Sequence, residues 1–575
     1  MYFARRSILA LGALGALGAL ASAKLLKRSF SSYTAVERVP ETGGKTTLPI
    51  GMNLAGIADW EPGFPFRNLM WGARRWLTRN LDGSGPFDTE MLAKFNLDAD
   101  GYPLQVPIDV GDGIKPQTVF TLVPNVLRPG KYVLLHDGEG KFEGLGGTRI
   151  VSEKPGRVVL QMSHREESLE VINIRESRLG NHLRNIRLVR LEDEFADLVE
   201  SPFTTEFLDF CRPFHCLRFM DWAVTNNSLE EKWAQRKRAS FYTMAGSSGD
   251  PDKIFAKQFD ETKRILSGGV AIEIMVKLAN TLMIDPWFCI PHRADDDYIR
   301  NFATLVKEKL DPKLKVYVEY SNELWNWGFL QSGWMLRSPL AGALVEAKGA
   351  KAWEDPDKTK GSGHPERIGA LLRRAFGIWE SVWTGPDRTR LIRVCAVQAG
   401  WEDASNRTVK WCAANGGADA VSPAGYVGPN DANYAEWATL GAALTPERVI
   451  ADLRTNLSAQ RAGGSLQQIV QHAHDLGMRY VAYEGGQHLQ PKGQADLPYA
   501  PALALAQSHP SMYNLYVDLL KLHRDLGCDL FCHLSSVSRQ GTRFGSWGAK
   551  ATYDQPLTTA PKMRALLDCN TPRPR

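Results

Sequence analysis

Val316-Tyr-Val-Glu-Tyr-Ser-Asn-Glu-Leu-Trp-Asn326 begins as a β-strand and ends in polar chemistry. Residues 316 to 320 are β-branched and aromatic, with apolar residues on both faces, the pattern of a parallel strand covered on both sides. The tip sets a carboxylic acid, Glu323, beside an amide, Asn322, and two aromatics, Trp325 and Trp327. Parallel barrels keep reactive groups at their C-terminal mouth, so a Ser-Asn-Glu tip reads as site rather than scaffold. A second strand of the same design, Arg479-Tyr-Val-Ala-Tyr-Glu-Gly-Gly486, ends in Glu484. Two glutamates on two strand ends are the minimum equipment for breaking a glycosidic bond.

Outward from these strands the chain alternates strand and helix from Phe203 onward, the signature of a parallel barrel or doubly wound sheet. Leu48 to Leu54 reads as strand 1, His215 to Met220 as strand 2, Pro286 to Ile290 as strand 3 and Val316 to Tyr320 as strand 4. Leu391 to Val397, Ala418 to Ser422, the Glu484 strand and Cys528 to His533 complete eight. A Rossmann-type enzyme is disfavoured, because no strand leads into a Gly-x-Gly-x-x-Gly helix opening. Between strands 1 and 2, residues 98 to 192 hold short alternating runs broken by Gly, Pro and Asp-Gly turns. Val119 to Val123, Lys131 to Leu135, Arg157 to Gln161 and Leu169 to Asn173 are the clearest. That spacing predicts an antiparallel β-sandwich-like domain inserted after strand 1, either a carbohydrate-binding module or a structural lid. The expected architecture is therefore an α/β (β/α)8 TIM barrel, with strand 1 and its loop over 48–97, the insertion over 98–192 and the remaining barrel over 203–575.

An Asn-Glu closing one strand and a lone Glu closing a much later one resembles the clan A glycoside hydrolases, which are (β/α)8 barrels. The resemblance implies that Glu323, on strand 4, is the acid/base and Glu484, on strand 7, the nucleophile, with net retention of anomeric configuration. It makes Asn322 a sugar-binding neighbour and puts Arg218 of strand 2 beneath the nucleophile. Tyr426, after strand 6, matches a tyrosine that hydrogen-bonds the nucleophile. Ala424 departs from the His-x-Tyr pattern common at that place. His292, ending strand 3, matches a histidine that contacts the sugar, and Trp547, beyond strand 8, is the candidate sugar platform, further past its strand than the family places it. No subfamily with a known substrate comes into focus.

Each assignment has a structural competitor. Arg218 could pair with a core carboxylate such as Asp221, and His292 could be a capped loop histidine. Tryptophans stack on the apolar faces of sugar rings, but most in a large protein are core. Trp60, Trp71, Trp222, Trp287, Trp325, Trp327 and Trp401 are the strand-end or loop candidates, with Trp325, two residues past Glu323, the best placed. Arg236-Lys237-Arg238 could meet an acidic polysaccharide, although a solvated helix face is the commoner reading. Asp295-Asp-Asp297 lacks the spacing of a calcium loop and suits a helix start. His472 and His474, two residues apart on a helix, point to different faces and are weak as metal ligands; the reading as a whole implies no metal, nucleotide or organic cofactor.

The chain has 575 residues, 43% of them hydrophobic, and a formal charge of +5. It exceeds the roughly 250 residues of one barrel, which leaves room for a leader and an insertion. The charge is too small for nucleic acid to be the expected partner. Cys216, Cys289, Cys395, Cys528 and Cys532 fall in apolar runs, where cysteine packs as a small hydrophobe. Residues 1–23 read as an export signal: Arg5-Arg6 precedes an apolar run closed by Ala21-Ser-Ala23, and the pair resembles a twin-arginine signal. A cleaved signal implies a periplasmic or extracellular, non-spanning mature form; an uncleaved anchor is the alternative. The polar stretch Ala352 to His364 reads as a loop between helices. Together these readings predict a retaining hydrolase of β-linked poly- or oligosaccharide, in exopolysaccharide or envelope metabolism. A transglycosylase on the same residues and a non-catalytic polysaccharide-binding protein are the alternatives.

Overall fold

The structure is a computed structural model that describes residues 47–246, 269–348, 363–492 and 496–573. The expected export signal lies outside the described residues, as does the expected loop from Ala352 up to residue 362. His364 opens a helix. No helix among the described residues is long and apolar enough to cross a membrane.

The first strand, β1 (Ile50–Asn53), is fully buried. After it come eight antiparallel strands: β2 (Leu77–Asn80), β3 (Gln117–Val123), β4 (Gly130–Asp137), β5 (Gly140–Gly146), β6 (Thr148–Lys154), β7 (Arg157–Met162), β8 (Glu170–Ser177) and β9 (Arg184–Arg190). They form two four-stranded sheets, ordered β2-β3-β8-β5 and β6-β7-β4-β9. The Asp-Gly at 137–138 and the Gly146-Gly147 pair supply the corners, with Gly138 and Gly146 at positive φ where other residues would be strained. The two sheets begin at Leu77, earlier than the turn-rich composition alone indicates.

The chain then returns to parallel strands: β10 (Cys216–Arg218), β11 (Asp285–Ile290), β12 (Val316–Tyr320), β13 (Leu391–Val397), β14 (Ala420–Pro423), β15 (Gly425–Val427), β16 (Arg479–Ala482), β17 (Gly485–Gln487) and β18 (Cys528–His533). Strands β1-β10-β11-β12-β13-β14-β16-β18 close into a barrel, β1 pairing in parallel with both β10 and β18. Each passage between neighbours carries a helix: α1 (Thr205–Cys211), α2 (Ile272–Leu282), α3 (Asp296–Lys309), α4 (His364–Val382), α5 (Glu402–Ala414), α6 (Ser465–Asp475) and α7 (Met512–Asp525), and α8 (Pro561–Cys569) follows β18. The fold is thus the eight-stranded parallel barrel that the alternation predicts.

Local chemistry accounts for the helix that leads into β12. Asp295 caps α3 by accepting from the Tyr298 N–H, with Asp296 and Asp297 in its first turn, so the acidic triplet serves the helix terminus. The Arg236-Lys237-Arg238 run is not a helix face. Arg236 pairs with Glu273, Lys237 is buried with its Nζ donating to the Thr243 carbonyl, and Arg238 pairs with Asp100 beside the two-sheet segment. These cations pin a loop. The eight cysteines are buried and free.

Gly51 shows how tightly the barrel interior is filled. A Cβ there would lie 2.5 Å from Cys532 Sγ of β18 and 3.1 Å from the Cys216 carbonyl of β10. Gly51→Ala should therefore destabilise the protein by about 1–3 kcal/mol through overpacking. A lower urea midpoint at unchanged m would be the sign of it, and an unmoved midpoint would mean that the strands spread without cost.

Candidate active site

The C-terminal ends of β1, β10, β12 and β16 converge on one charged group. Arg218, wholly buried at the end of β10, directs Nε and Nη2 to the Glu319 carboxylate at 3.0 and 3.1 Å. Nη2 also donates to Asn322 Oδ1 at 2.9 Å, and Nη1 donates to Asn53 Oδ1 at 3.0 Å and Glu484 Oε2 at 3.4 Å. The Trp287 and Tyr483 rings flank the guanidinium, 5.6 and 5.0 Å away. Arg218 thus reaches strands 1, 4 and 7 at once, and its core partner is Glu319 rather than Asp221.

Glu319 lies inside β12 at zero exposure. Burial pushes its proton affinity up, while Arg218 and its hydrogen bonds pull it down. Its neighbours decide its state. Besides Arg218, Trp287 Nε1–H donates to it at 2.9 Å and the Cys289 thiol faces it at 3.5 Å. A carboxyl surrounded by donors, with no acceptor for a proton of its own, is held as the carboxylate.

Glu484 ends β16 and is nearly buried. It accepts from the Tyr426 hydroxyl at 3.0 Å and from Arg218. Burial, and next the charge of Glu323, raise its proton affinity; Arg218 and Tyr426 oppose them. Glu323 accepts from the Tyr483 hydroxyl and from Asn326 Nδ2, each at 2.7 Å. Because Glu319 already neutralises Arg218, the two glutamates cannot both ionise cheaply, and the pair retains one proton into the neutral range. The cation touches Glu484, and only neutral donors touch Glu323.

Backbone geometry sets the directions. Ser321 and Glu323 both have positive φ, 62° and 41°, so the chain turns sharply at the strand tip and aims Asn322 inward. Tyr426 is fixed by the pairing of β15 with β17, where Gly425 N–H donates to the Glu484 carbonyl at 2.7 Å. A Cβ on Gly485 would meet Gly425 O and Phe531 Cζ at 2.5 Å, so only glycine lets the two strand ends approach this closely.

The predicted residues separate into those at the centre and those beside it. Glu484, Arg218, Asn322 and Tyr426 form one hydrogen-bonded group, while Glu323 rests on Tyr483 and Asn326 and reaches Glu484 by its charge. The Asn322 amide is occupied at both ends, Nδ2 donating to Asn226 Oδ1 at 3.0 Å, so it orients the arginine. Trp547 lies edge-on to Tyr426, ring centres 6.0 Å apart, and to His488 at 4.6 Å; a later turn of the loop after β18 brings it back to the mouth. Trp325 is only 9% exposed and packs edge-on to Tyr483, whereas Trp327 is 48% exposed. Trp222 and Trp287 are core. His292 is buried against Trp334, with its proton affinity lowered by burial to about 3. No contact among those described joins it to either glutamate. Sequence reading missed Glu319 and Tyr483. A lone acid inside an otherwise apolar strand was the available signal for Glu319.

No group of three or more His, Cys, Asp or Glu among the described residues is arranged to hold a metal ion. No protein-family model and no curated protein sequence matches the chain. Among solved structures it is similar to the GH51 arabinofuranosidase from Xanthomonas axonopodis pv. citri, at 11% identity over 59% of this chain and 62% of that one, TM-score 0.32. It is also similar to a GH5-4 broad-specificity endoglucanase from an uncultured bacterium, at 12% identity over 62% and 81%, TM-score 0.29. A third is an endo-beta-1,4-mannanase from Thermotoga petrophila, at 11% identity over 63% and 72%, TM-score 0.25. The likeness is one of barrel fold. The barrel fold itself is established by the strand order of this chain.

Charge accounting at Arg218 makes opposite predictions for two variants. Glu319→Gln should release the guanidinium charge toward Glu484 and move the titration of the glutamate pair down by about one pH unit. Tyr426→Phe removes a donor from Glu484 and should move it up. Infrared titration of protein carrying 13C-carboxyl glutamate reads both; an unmoved pair in Glu319→Gln would show that Glu319 does not balance Arg218.

Proposed function

We propose that the chain is a retaining glycoside hydrolase acting on a β-linked poly- or oligosaccharide. The observation that carries this reading is the asymmetric pair: a buried carboxylate, Glu484, against a cation and a phenol, and a second carboxyl, Glu323, within its electrostatic reach on neutral donors only. A double displacement needs one ionised and one protonated carboxyl at the same pH. In the proposed reaction Glu484 attacks the anomeric carbon while Glu323 passes its proton to the departing glycosidic oxygen, giving a glycosyl-enzyme. Glu323 then takes a proton from water as the water oxygen attacks the same carbon and Glu484 leaves. Arg218 and Tyr426 stabilise the carboxylate released from Glu484, and Asn53, Asn322 and Glu319 hold Arg218 in place.

On this reading Trp547 offers the sugar a flat apolar face beside Tyr426, and the half-exposed Trp327 a second surface further out. The two-sheet segment between β1 and β10 is read as one inserted module. It packs on the loop after β10, where the Tyr242 N–H donates to the Asp100 carbonyl at 3.0 Å. The expected site of action is outside the cytoplasm, on exopolysaccharide or envelope glycan.

The test is product release from a panel of β-linked and acidic polysaccharides. Wild type should release oligosaccharides with retained anomeric configuration by NMR. Glu323→Gln should lose about 10²–10⁴ in turnover, and Glu484→Gln should be inactive while still binding glycan. Equal activity in either variant and wild type would overturn the assignment; binding without turnover in all three would favour a polysaccharide-binding protein. Turnover should also fall on the alkaline side as the pair loses its shared proton.

A further inference from the structure

Behind the Trp547 loop lies a small polar chamber between that loop and α8. Its walls include Lys562, Lys550, Gln507, Gln540, Gln555 and Ser538, and it encloses about 10 Å³. No carboxylate lines it. Lys562 is 4% exposed, and its Nζ donates to Gln507 Oε1 at 2.9 Å and to the Ser546 carbonyl at 3.0 Å, both neutral acceptors. No ion pair to Lys562 occurs among the described residues. Lys550 gives its Nζ to the Tyr553 carbonyl at 2.9 Å, and the acid whose charge bears on it, Asp554, is largely exposed and sits beside Arg128. Thr559 and Ala560 also line the chamber, and Ala560 begins α8 without a side-chain cap, leaving the positive end of a nine-residue helix facing it.

A buried ammonium with only neutral acceptors carries a large desolvation cost, which a counter-ion removes. A second lysine, a helix N-terminus and the absence of any acid all give the chamber positive potential. We propose that the chamber is a binding site for one small monoanion of halide size, held by Lys562, Lys550 and the first turn of α8. The space is that of a single water-sized particle, so sulfate, phosphate and carboxylates are too large. Without an anion, burial drags the Lys562 amine down to about 7; a bound halide would keep it protonated and donating.

The position gives the site a consequence. The Ser546 carbonyl receives both Lys562 and, at 2.9 Å, Gln487 Nε2 of β17. Ser546 precedes Trp547, which lies against Tyr426. The anion therefore braces the loop that carries the aromatic edge of the mouth, whatever reaction that mouth performs.

Thermal unfolding at pH 8 and constant ionic strength tests this without reference to activity. Replacing gluconate with chloride should raise the midpoint by about 2 °C as the site fills, sulfate should not substitute, and Lys562→Met should abolish the chloride response. Bromide soaked into wild-type crystals should give an anomalous peak within hydrogen-bonding distance of Lys562 Nζ. That measurement decides the matter even if Lys562→Met fails to fold. An empty chamber, or a chloride response equal in wild type and Lys562→Met, would overturn the proposal.

Discussion

One buried ion pair organises the mouth of this barrel. Arg218 and Glu319 face each other across β10 and β12 with no access to water, and neither is tolerable there without the other. Once paired, the guanidinium still has N–H groups to place. It places them on Asn53 of β1, Asn322 at the tip of β12 and Glu484 at the end of β16. Three strands that are not all neighbours are thereby tied to one planar group, whose rigid geometry fixes where each carboxylate stands. Asn53 extends the tie, its Nδ2 donating to the carbonyls of Tyr483 and His533 on the closing side of the barrel.

The pair also determines how much charge is left for the two terminal glutamates. An arginine without a counter-ion would hold its neighbouring carboxylate firmly ionised and weaken any proton shared across the site. With Glu319 in place the cluster is electrically balanced before Glu484 or Glu323 is counted. Chemistry requiring one proton on two acids is then matched to neutral rather than strongly acidic surroundings. The tyrosines refine this balance: Tyr426 donates to Glu484 and Tyr483 to Glu323, so each acid is oriented by a neutral partner of its own.

Much of this was legible in the sequence, and the part that was not follows a physical rule. Strands 4, 5 and 8 coincide with Val316–Tyr320, Leu391–Val397 and Cys528–His533, because each is a largely apolar run with a polar or turn-forming residue at its border. Arg218, Asn322, Tyr426 and Glu484 share hydrogen bonds at the strand ends, with Glu323 on donors of its own. Glu319 stands out in the sequence as a lone acid in an apolar strand, but its partner does not, because a strand pattern records which face a residue occupies and not which residue of a distant strand waits opposite. Trp325 illustrates the same limit. Its proximity to Glu323 along the chain favoured it as a sugar platform, yet it packs against Tyr483, and Trp547, over two hundred residues away, lies beside Tyr426. The basic run at 236–238 likewise reads as solvated until the loop it anchors is seen.

The two antiparallel sheets between β1 and β10 bear on how the barrel is assembled. In most chains of this topology strand 1 meets strand 2 after one short crossover, but here the pairing of Met52 with Leu217 and Asn53 with Arg218 must close a very long excursion. Antiparallel neighbours such as β6 and β7 pair locally, and such hairpins form early and fast. Once the sheets have condensed, that excursion is no longer a free loop. Its ends are presented near each other, and the entropic cost of bringing β1 to β10 falls accordingly.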